Sequence, residues 1–285
     1  MKYRTIKEII KAVPTTDGAG VRLKRVFGNY QTPMFDPFLL LDHFGSDNPD
    51  DYIAGFPEHP HRGIETITYM LHGKVEHRDS LGNGGVISDG DVQWMTAGSG
   101  IIHAEMPKRT EGKMEGFQLW ANLPAKHKMM NPRYRDVSAD TIPEIKREDG
   151  TLIKLISGTI DGVQGPVQDV VTDPTYMDIT MEKNSIFEEN FPADYTVFTY
   201  LISGEAEFSP DEEKQPETES AILLKNGDAV KIKTGEKGAR FLLAAGKPLK
   251  ESIAWRGPIV MTNQDELDIA FAELRNGTFL KTKNE

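Results

Sequence analysis

From Gly63 onward the chain alternates between two sets of positions. Glu65, Ile67, Tyr69 and Leu71 fall on odd numbers, with Thr66, Thr68 and Met70 between them. A period of two predicts a strand. The odd parity runs back through His61 and His59. An unbroken strand would therefore place both histidines on the inward face with Ile67, Tyr69 and Leu71. Pro60 cannot donate to a ladder, so this end is expected at an edge or a bulge, where its fixed φ stiffens the histidine pair. Further strands are predicted at Asp36–Leu41, at Gly90–Met95 and at Gly116–Ala121. Residues 1–30 read as short strands around the turn Asp17-Gly18-Ala19-Gly20. Residues 45–58 read as a polar connection. Gly82-Asn83-Gly84-Gly85 is a hairpin signal. It lacks the Gly-Lys-Ser/Thr ending and the following helix of a phosphate loop.

The alternation stops over 124–149, where Pro124, Pro132, Pro143 and mixed charges predict a surface linker. The domain boundary is placed there, with an N-terminal domain 1–135 and a C-terminal domain 136–285. Short strands resume from Thr151, interrupted by an acidic loop, Ser209–Glu219. Asn263-Gln264-Asp265-Glu266 has the form of a capping box, Leu267, Ala270, Phe271 and Leu274 follow at helical spacing, and Asn276-Gly277 closes the segment. That is the one helix expected.

The second half echoes the first. Tyr200–Gly204 resembles Tyr69–Gly73, and Lys225–Asp228 resembles Ser88–Asp91. Carrying the offsets forward sets Asn190, Pro192, Arg240 and Leu242 at the positions of the ligand candidates named below. All seven histidines lie in the first half. Two copies of one β-domain, only the first binding metal, account for this pattern.

The candidate chemistry lies in two short runs. His59-Pro60-His61 places two imidazoles one residue apart, and His103-Ala104-Glu105 does the same for an imidazole and a carboxylate. Residues i and i+2 of a strand share a face. Two such strands side by side would present three nitrogens and one carboxylate to a single point. That donor set suits iron, manganese, cobalt, nickel, copper or zinc. Four protein ligands would saturate a tetrahedral ion, whereas an octahedral one keeps two positions for substrate or dioxygen. Glu65 has the same parity and reads either as a partner of an imidazole N–H or as an ordinary strand carboxylate. His43, His72, His77 and His127 read as ordinary polar residues, and Trp94, Met95 and Trp120 as core.

Composition excludes several alternatives. With no cysteine there can be no disulfide, thiolate-bound zinc or iron–sulfur cluster, and a cysteine-dependent zinc deaminase is excluded. A reducing, cytoplasmic location fits. Met1–Glu8 has no signal-peptide core, and no run approaches a membrane span, so no membrane partner is expected. The net charge of −11, from 33 basic and 44 acidic residues, argues against direct nucleic-acid binding. The one compact basic group, Arg22–Arg25, reads as the solvated face of a strand.

Asp36–Leu40, Phe56–Thr66, Gly90–Glu105, Gly116–Trp120 and Gly257–Asn263 together resemble the pirin family of the cupin superfamily. The resemblance spans nearly the whole length and is looser in the second half. It implies an all-β fold of two tandem cupin (double-stranded β-helix) barrels with a short C-terminal helix. It also implies one divalent metal ion in the first barrel, Fe(2+) by family precedent, held by His59, His61, His103 and Glu105. Members similar to this chain are described as quercetin 2,3-dioxygenases, as nuclear transcription cofactors or as binders of metabolic enzymes. One expectation is therefore a dioxygenase acting on a flavonol such as quercetin with dioxygen, Glu105 serving as ligand and base. The other is a redox-responsive metal-binding regulator acting through protein partners. A monomer is expected in either case.

Overall fold

Apolar residues on short strands build two bodies of sheet. The computed structural model describes residues 1–209 and 216–281; residues 210–215, inside the expected acidic loop, lie outside the described residues. One unit comprises Met1–Val13, Tyr30–Pro37 and Asp140–Pro248, the other Pro14–Asn29, Phe38–Ala139 and Leu249–Glu285. This grouping differs from a single cut between 135 and 136, because the last segment, with the terminal helix, belongs to the unit that carries the histidines.

That unit contains β1 (Val21–Phe27), β2 (Phe38–Ser46), β3 (Phe56–His61), β4 (Ile64–His72), β5 (Val75–Asp79), β6 (Val92–Thr96), β7 (Ile101–Pro107), β8 (Met114–Asn122) and β9 (Arg133–Val137). A seven-stranded sheet runs in the order β9-β6-β4-β8-β2-β1, with Val13–Asp17 at its far edge. A four-stranded sheet runs β3-β7-β5, with Gly84–Ile87 beyond. One apolar cluster of this unit gathers Val21, Leu23, Phe44, Met70, Val75 and Met114. Another gathers Leu39, Ile64, Met95, Ile101 and Val260. Each such side chain, fully buried, contributes about 1.5–3 kcal/mol.

The strand expected to run from His59 to Leu71 is broken. β3 and β4 lie in different sheets, with Arg62 and Gly63 turning the chain between them. Gly63 has φ +79, and a Cβ there would stand 2.0 Å from the Val260 carbonyl oxygen, so only glycine fits. The parity of the histidines is lost at this turn. Thr68, not Ile67 or Tyr69, lines the cleft described below. Both faces of β4 are buried, which is why its alternation gave no guide to which face points inward.

The expected linker is also partly strand. β9 pairs with β6, and Glu144–Lys146 pairs with Leu152–Ser157 in the other unit. Both are edge strands, where prolines and charges are tolerated. The predicted helix forms as α1 (Gln264–Asn276). The Asn263 side chain accepts from Glu266 N, Gly277 adopts φ +70, and Leu267 and Ala270 are buried. The Glu266 carboxylate accepts from Thr262 N, one residue earlier than a standard capping box.

On the β2–β8 pair, His43 Nε2 lies 3.0 Å from Glu115 Oε1, which also accepts from Lys113 Nζ at 2.7 Å. Burial alone would raise the Glu115 carboxyl, but hydrogen bonds from His43 and Lys113 outweigh it and hold the pKa at about 2. A folded value below the ordinary 4.5 stabilises the protein above that pH. Its contribution, at most about 3 kcal/mol, is lost as pH falls from 4.5 toward 2. Urea unfolding across this window should show that loss, and Glu115→Gln should flatten the slope.

The other unit holds an eight-stranded sheet built around Thr196–Glu207, Ala229–Gly246 and Thr175–Met181, with a two-stranded ribbon of Thr159–Ile160 and Val163–Gln164. Its register corrects the constant-offset equivalence. Tyr69 pairs with Phe117, and its counterpart Tyr200 pairs with Leu242. Leu242 thus occupies the position of Phe117, not that of Glu105. Arg240 is engaged by both oxygens of Asp178.

Candidate metal centre

β3 and β7 pair antiparallel, with His103 opposite His59 and Ile101 opposite His61. Alternation on β7 buries Ile101, His103 and Glu105 and leaves Ile102 and Ala104 half-buried. The register shifts between His103 and Glu105, where Glu105 pairs with Phe56. The extra residue lies on β3, and this bulge re-aims that strand beside Pro57.

One nitrogen from each of His59, His61 and His103 lies within 4.8 Å of the others, the single group of three or more metal-capable side chains found among the described residues. Glu105 is outside that group. The hydrogen bonds fix which nitrogens are free. His59 Nδ1 is 2.8 Å from the Pro57 carbonyl and His61 Nδ1 is 3.0 Å from the Pro258 carbonyl. A carbonyl only accepts, so both Nδ1 atoms carry a proton, and in the neutral rings both Nε2 atoms are bare. These Nε2 atoms face each other at 3.1 Å. His103 Nε2 is buried without a partner. Two bare lone pairs and a third imidazole nitrogen without a partner, converging within 4.8 Å, fit a cation. Nitrogens 2.0–2.1 Å from an ion and at right angles stand about 3 Å apart.

Electrostatics keep the His61 and His103 rings neutral, as ligands must be. Burial, then the neighbouring His59, pushes His61 down to about 3. Burial, then His61, His59 and His77, holds His103 well below the ordinary range.

A cleft of about 630 Å³ opens onto His59, His61 and Glu105. Its walls include Phe44, Phe56, Leu23, Leu40, Met114 and Trp255. Trp120 meets the His61 ring edge-on at 5.0 Å and lies 5.9 Å from Trp255, so it borders the site, contrary to its reading as plain core. Trp94 and Met95 are buried core as expected. Across the sheet, Arg25, Asp42, Gln118, Thr68 and Gln93 stand in register on successive strands. Glu105 is held by this row, accepting from Thr68 Oγ1 at 3.0 Å and from Gln118 Nε2 at 3.3 Å. At the row's far end Arg25 engages both oxygens of Asp42 and one of Asp17. Arg25 therefore faces the cleft instead of standing on a solvated strand face.

A family model described as Pirin matches residues 20–121, and one described as Pirin C-terminal cupin domain matches residues 176–280. The chain belongs to the pirin family. It is 42% identical over 280 residues to a Pirin-like protein of Caulobacter vibrioides, across 98% of this chain and 100% of that one. Pirin of Homo sapiens is 38% identical over 264 residues, across 92% and 89%. A solved quercetin 2,3-dioxygenase from Acinetobacter baumannii matches with a TM-score of 0.89 at 30% identity, across 97% of this chain and 98% of that one. The fold is therefore two cupin-type domains, mostly strand, with a short C-terminal helix.

In this pirin-family chain the remaining candidates separate cleanly. Glu65 is buried and accepts from Thr96 Oγ1 at 2.7 Å, while carbonyls hold the Nδ1 atoms of His59 and His61. His72 is exposed, and His43 is stacked on Phe117. The sequence reading missed His77, which is fully buried beside His103. The signal was available in Val75-Glu76-His77-Arg78-Asp79, where alternation puts Val75, His77 and Asp79 on one face. Also missed was Pro258, distant in sequence from His61, the histidine it orients. Lys128 locks that arrangement by donating to the Gly63 and Val260 carbonyls and to Asn122 Oδ1. Among the described residues, no helix is long and apolar enough to cross a membrane.

Proposed function

We propose that this protein is a metal-dependent dioxygenase acting on a flavonol such as quercetin. The observation that carries the reading is the convergence of three imidazole nitrogens, two of them from histidines that line a cleft walled by aromatic and apolar side chains. The name of the Acinetobacter relative supports the substrate class. When bound, a divalent ion, Fe(2+) in this reading, supplies Lewis acidity toward a coordinated hydroxyl and redox chemistry toward dioxygen. His59, His61 and His103 hold it, with Glu105 beside them.

The chain's own residues do the rest. Phe56, Trp120 and Trp255 offer flat apolar surfaces to an aromatic ring system. Thr68 and Gln118 fix the Glu105 carboxylate, which accepts the proton of the substrate's 3-hydroxyl. Arg25, two strand spacings or about 10 Å beyond Gln118, forms a polar far end with Asp17 and Asp42. The two carboxylates outweigh one guanidinium, so this end favours hydroxyl donors over anionic groups.

The test is carbon monoxide release from quercetin and oxygen by protein loaded with Fe(2+), compared with metal-free protein. Turnover well above the metal-free control is expected. Equal rates in the two samples would overturn the reading.

A further inference from the structure

His103 differs from the other two histidines in what stands behind it. β5 runs antiparallel to β7, pairing His77 with Glu105 and Asp79 with His103. The His77 ring is fully buried between two rings. Tyr134 stacks on it at 4.4 Å and 26°, and His103 lies 5.2 Å away. His103 Nδ1 is 3.4 Å from His77 Nδ1, and His77 Nε2 is 3.3 Å from Asp79 Oδ2. The Asp79 carboxylate is itself fixed. Oδ1 accepts from Leu81 N at 2.9 Å and Asn83 N at 3.0 Å, and Oδ2 from Asn83 Nδ2 at 2.9 Å.

With a neutral His77 ring, these contacts allow one direction of donation. A carboxylate accepts, so His77 Nε2 carries a proton. His77 Nδ1 is then bare in the neutral ring and can only accept, so His103 Nδ1 carries the next proton. His103 Nε2 is left bare, and it is the atom that points toward His59 and His61 without a partner. The reverse direction would set a bare His77 nitrogen against the Asp79 carboxylate. A backbone carbonyl fixes the tautomer of His59 and of His61. For His103 the same task falls to an imidazole backed by a negative charge.

We propose that His77 and Asp79 are positioning residues for the metal centre, holding His103 in the Nδ1–H tautomer with its Nε2 lone pair aimed into the site. This inference rests on the reading of His103 as a ligand. The negative end of the chain makes Nε2 a stronger donor than a carbonyl-backed imidazole, as outer carboxylates do for metal-bound histidines.

Two variants at His77 test it. His77→Phe keeps a ring against Tyr134 and removes both nitrogens. His77→Gln keeps one acceptor and one donor. In metal-free protein, ¹⁵N–¹H correlation spectra of the imidazoles should show His103 as the Nδ1–H tautomer in wild type and His77→Gln. In His77→Phe the other tautomer should appear. Ni²⁺ affinity, measured by chelator competition, should fall about 10–100-fold in His77→Phe and be largely restored in His77→Gln. The melting temperatures of the metal-free proteins separate these effects from general destabilisation. Should His77→Phe fail to fold, Asp79→Asn makes the comparison. It sets an amide N–H opposite His77, turns the chain round and should move the His103 proton to Nε2. An unchanged His103 tautomer in the folded variant would overturn the proposal. If wild type itself takes up no Ni²⁺, the metal reading fails, and the tautomer measurement still decides the positioning claim.

Discussion

His103→Ala is expected to remove metal binding and flavonol turnover together. His103 is 1% exposed, and its Nε2 is buried with no hydrogen-bond partner among the described residues. Without it, His59 and His61 present two nitrogens, too few to fix an ion in a defined geometry. The loss of affinity should exceed the roughly 10–100-fold that removal of an outer partner costs. Two measurements read it. Metal analysis after purification should give a bound ion in wild type and none in the variant. Thermal melting should add a second mark, because an ion bound to the folded state alone stabilises it by about 2.7 kcal/mol at 100 times its Kd. Wild type should gain melting temperature on metal addition and His103→Ala should not. The variant leaves a cavity, so its metal-free melting temperature will be lower, and the comparison to make is the shift on adding metal. Full metal occupancy in His103→Ala would end the three-histidine reading.

Glu105→Gln is expected to leave the ion in place and slow turnover by about 10²–10⁴-fold, the range for loss of a positioned general base. Glutamine has the same shape and can keep one hydrogen bond from the Thr68–Gln118 pair that grips Glu105. It has no charge and does not take a proton from a phenol. The nitrogens able to hold an ion are those of His59, His61 and His103, so in the proposed site metal content should stay at the wild-type level. The loss should appear in kcat, since the cleft walls that bind the ring are untouched. If metal content falls in step with turnover, Glu105 holds the ion directly. Wild-type turnover in this variant would remove Glu105 from the chemistry. These outcomes are distinct from those of His103→Ala, in which metal and activity leave together.

The two readouts also bear on the cleft's far end. Arg25, Asp42 and Asp17 form a closed ion cluster on the strands furthest from the histidines that still face the cleft. Glu105 and this cluster share one row of side chains across the sheet, with Gln118 between Glu105 and Asp42. A substrate spanning the cleft would touch both ends of that row. The proposed binding and proton transfer would then depend on one register of strand pairing, which a slip by one residue would destroy.

Local pattern was enough for several parts of this protein. The strand from Phe38, the hairpin after Asp79 and the helix from Asn263 to Gly277 followed from short-range rules of proline, glycine and capping residues. So did the shared face of His103 and Glu105, because β7 alternates between buried and half-buried positions along its length. Other parts were decided by tertiary structure alone. Alternation could not show that β3 and β4 part at Gly63, because β4 is buried on both faces and its period of two carries no inward sign. It could not show that Thr68 and Gln118 would grip Glu105, or that His77 would stand behind His103, since these are neighbours across strands and not along them. Nor could it show that Pro258 would orient His61 from the far end of the chain. The physical reason is one of range. Strand periodicity and caps are set by residues within a few positions of one another, whereas strand order and register are set by which buried surfaces meet once the whole chain has closed.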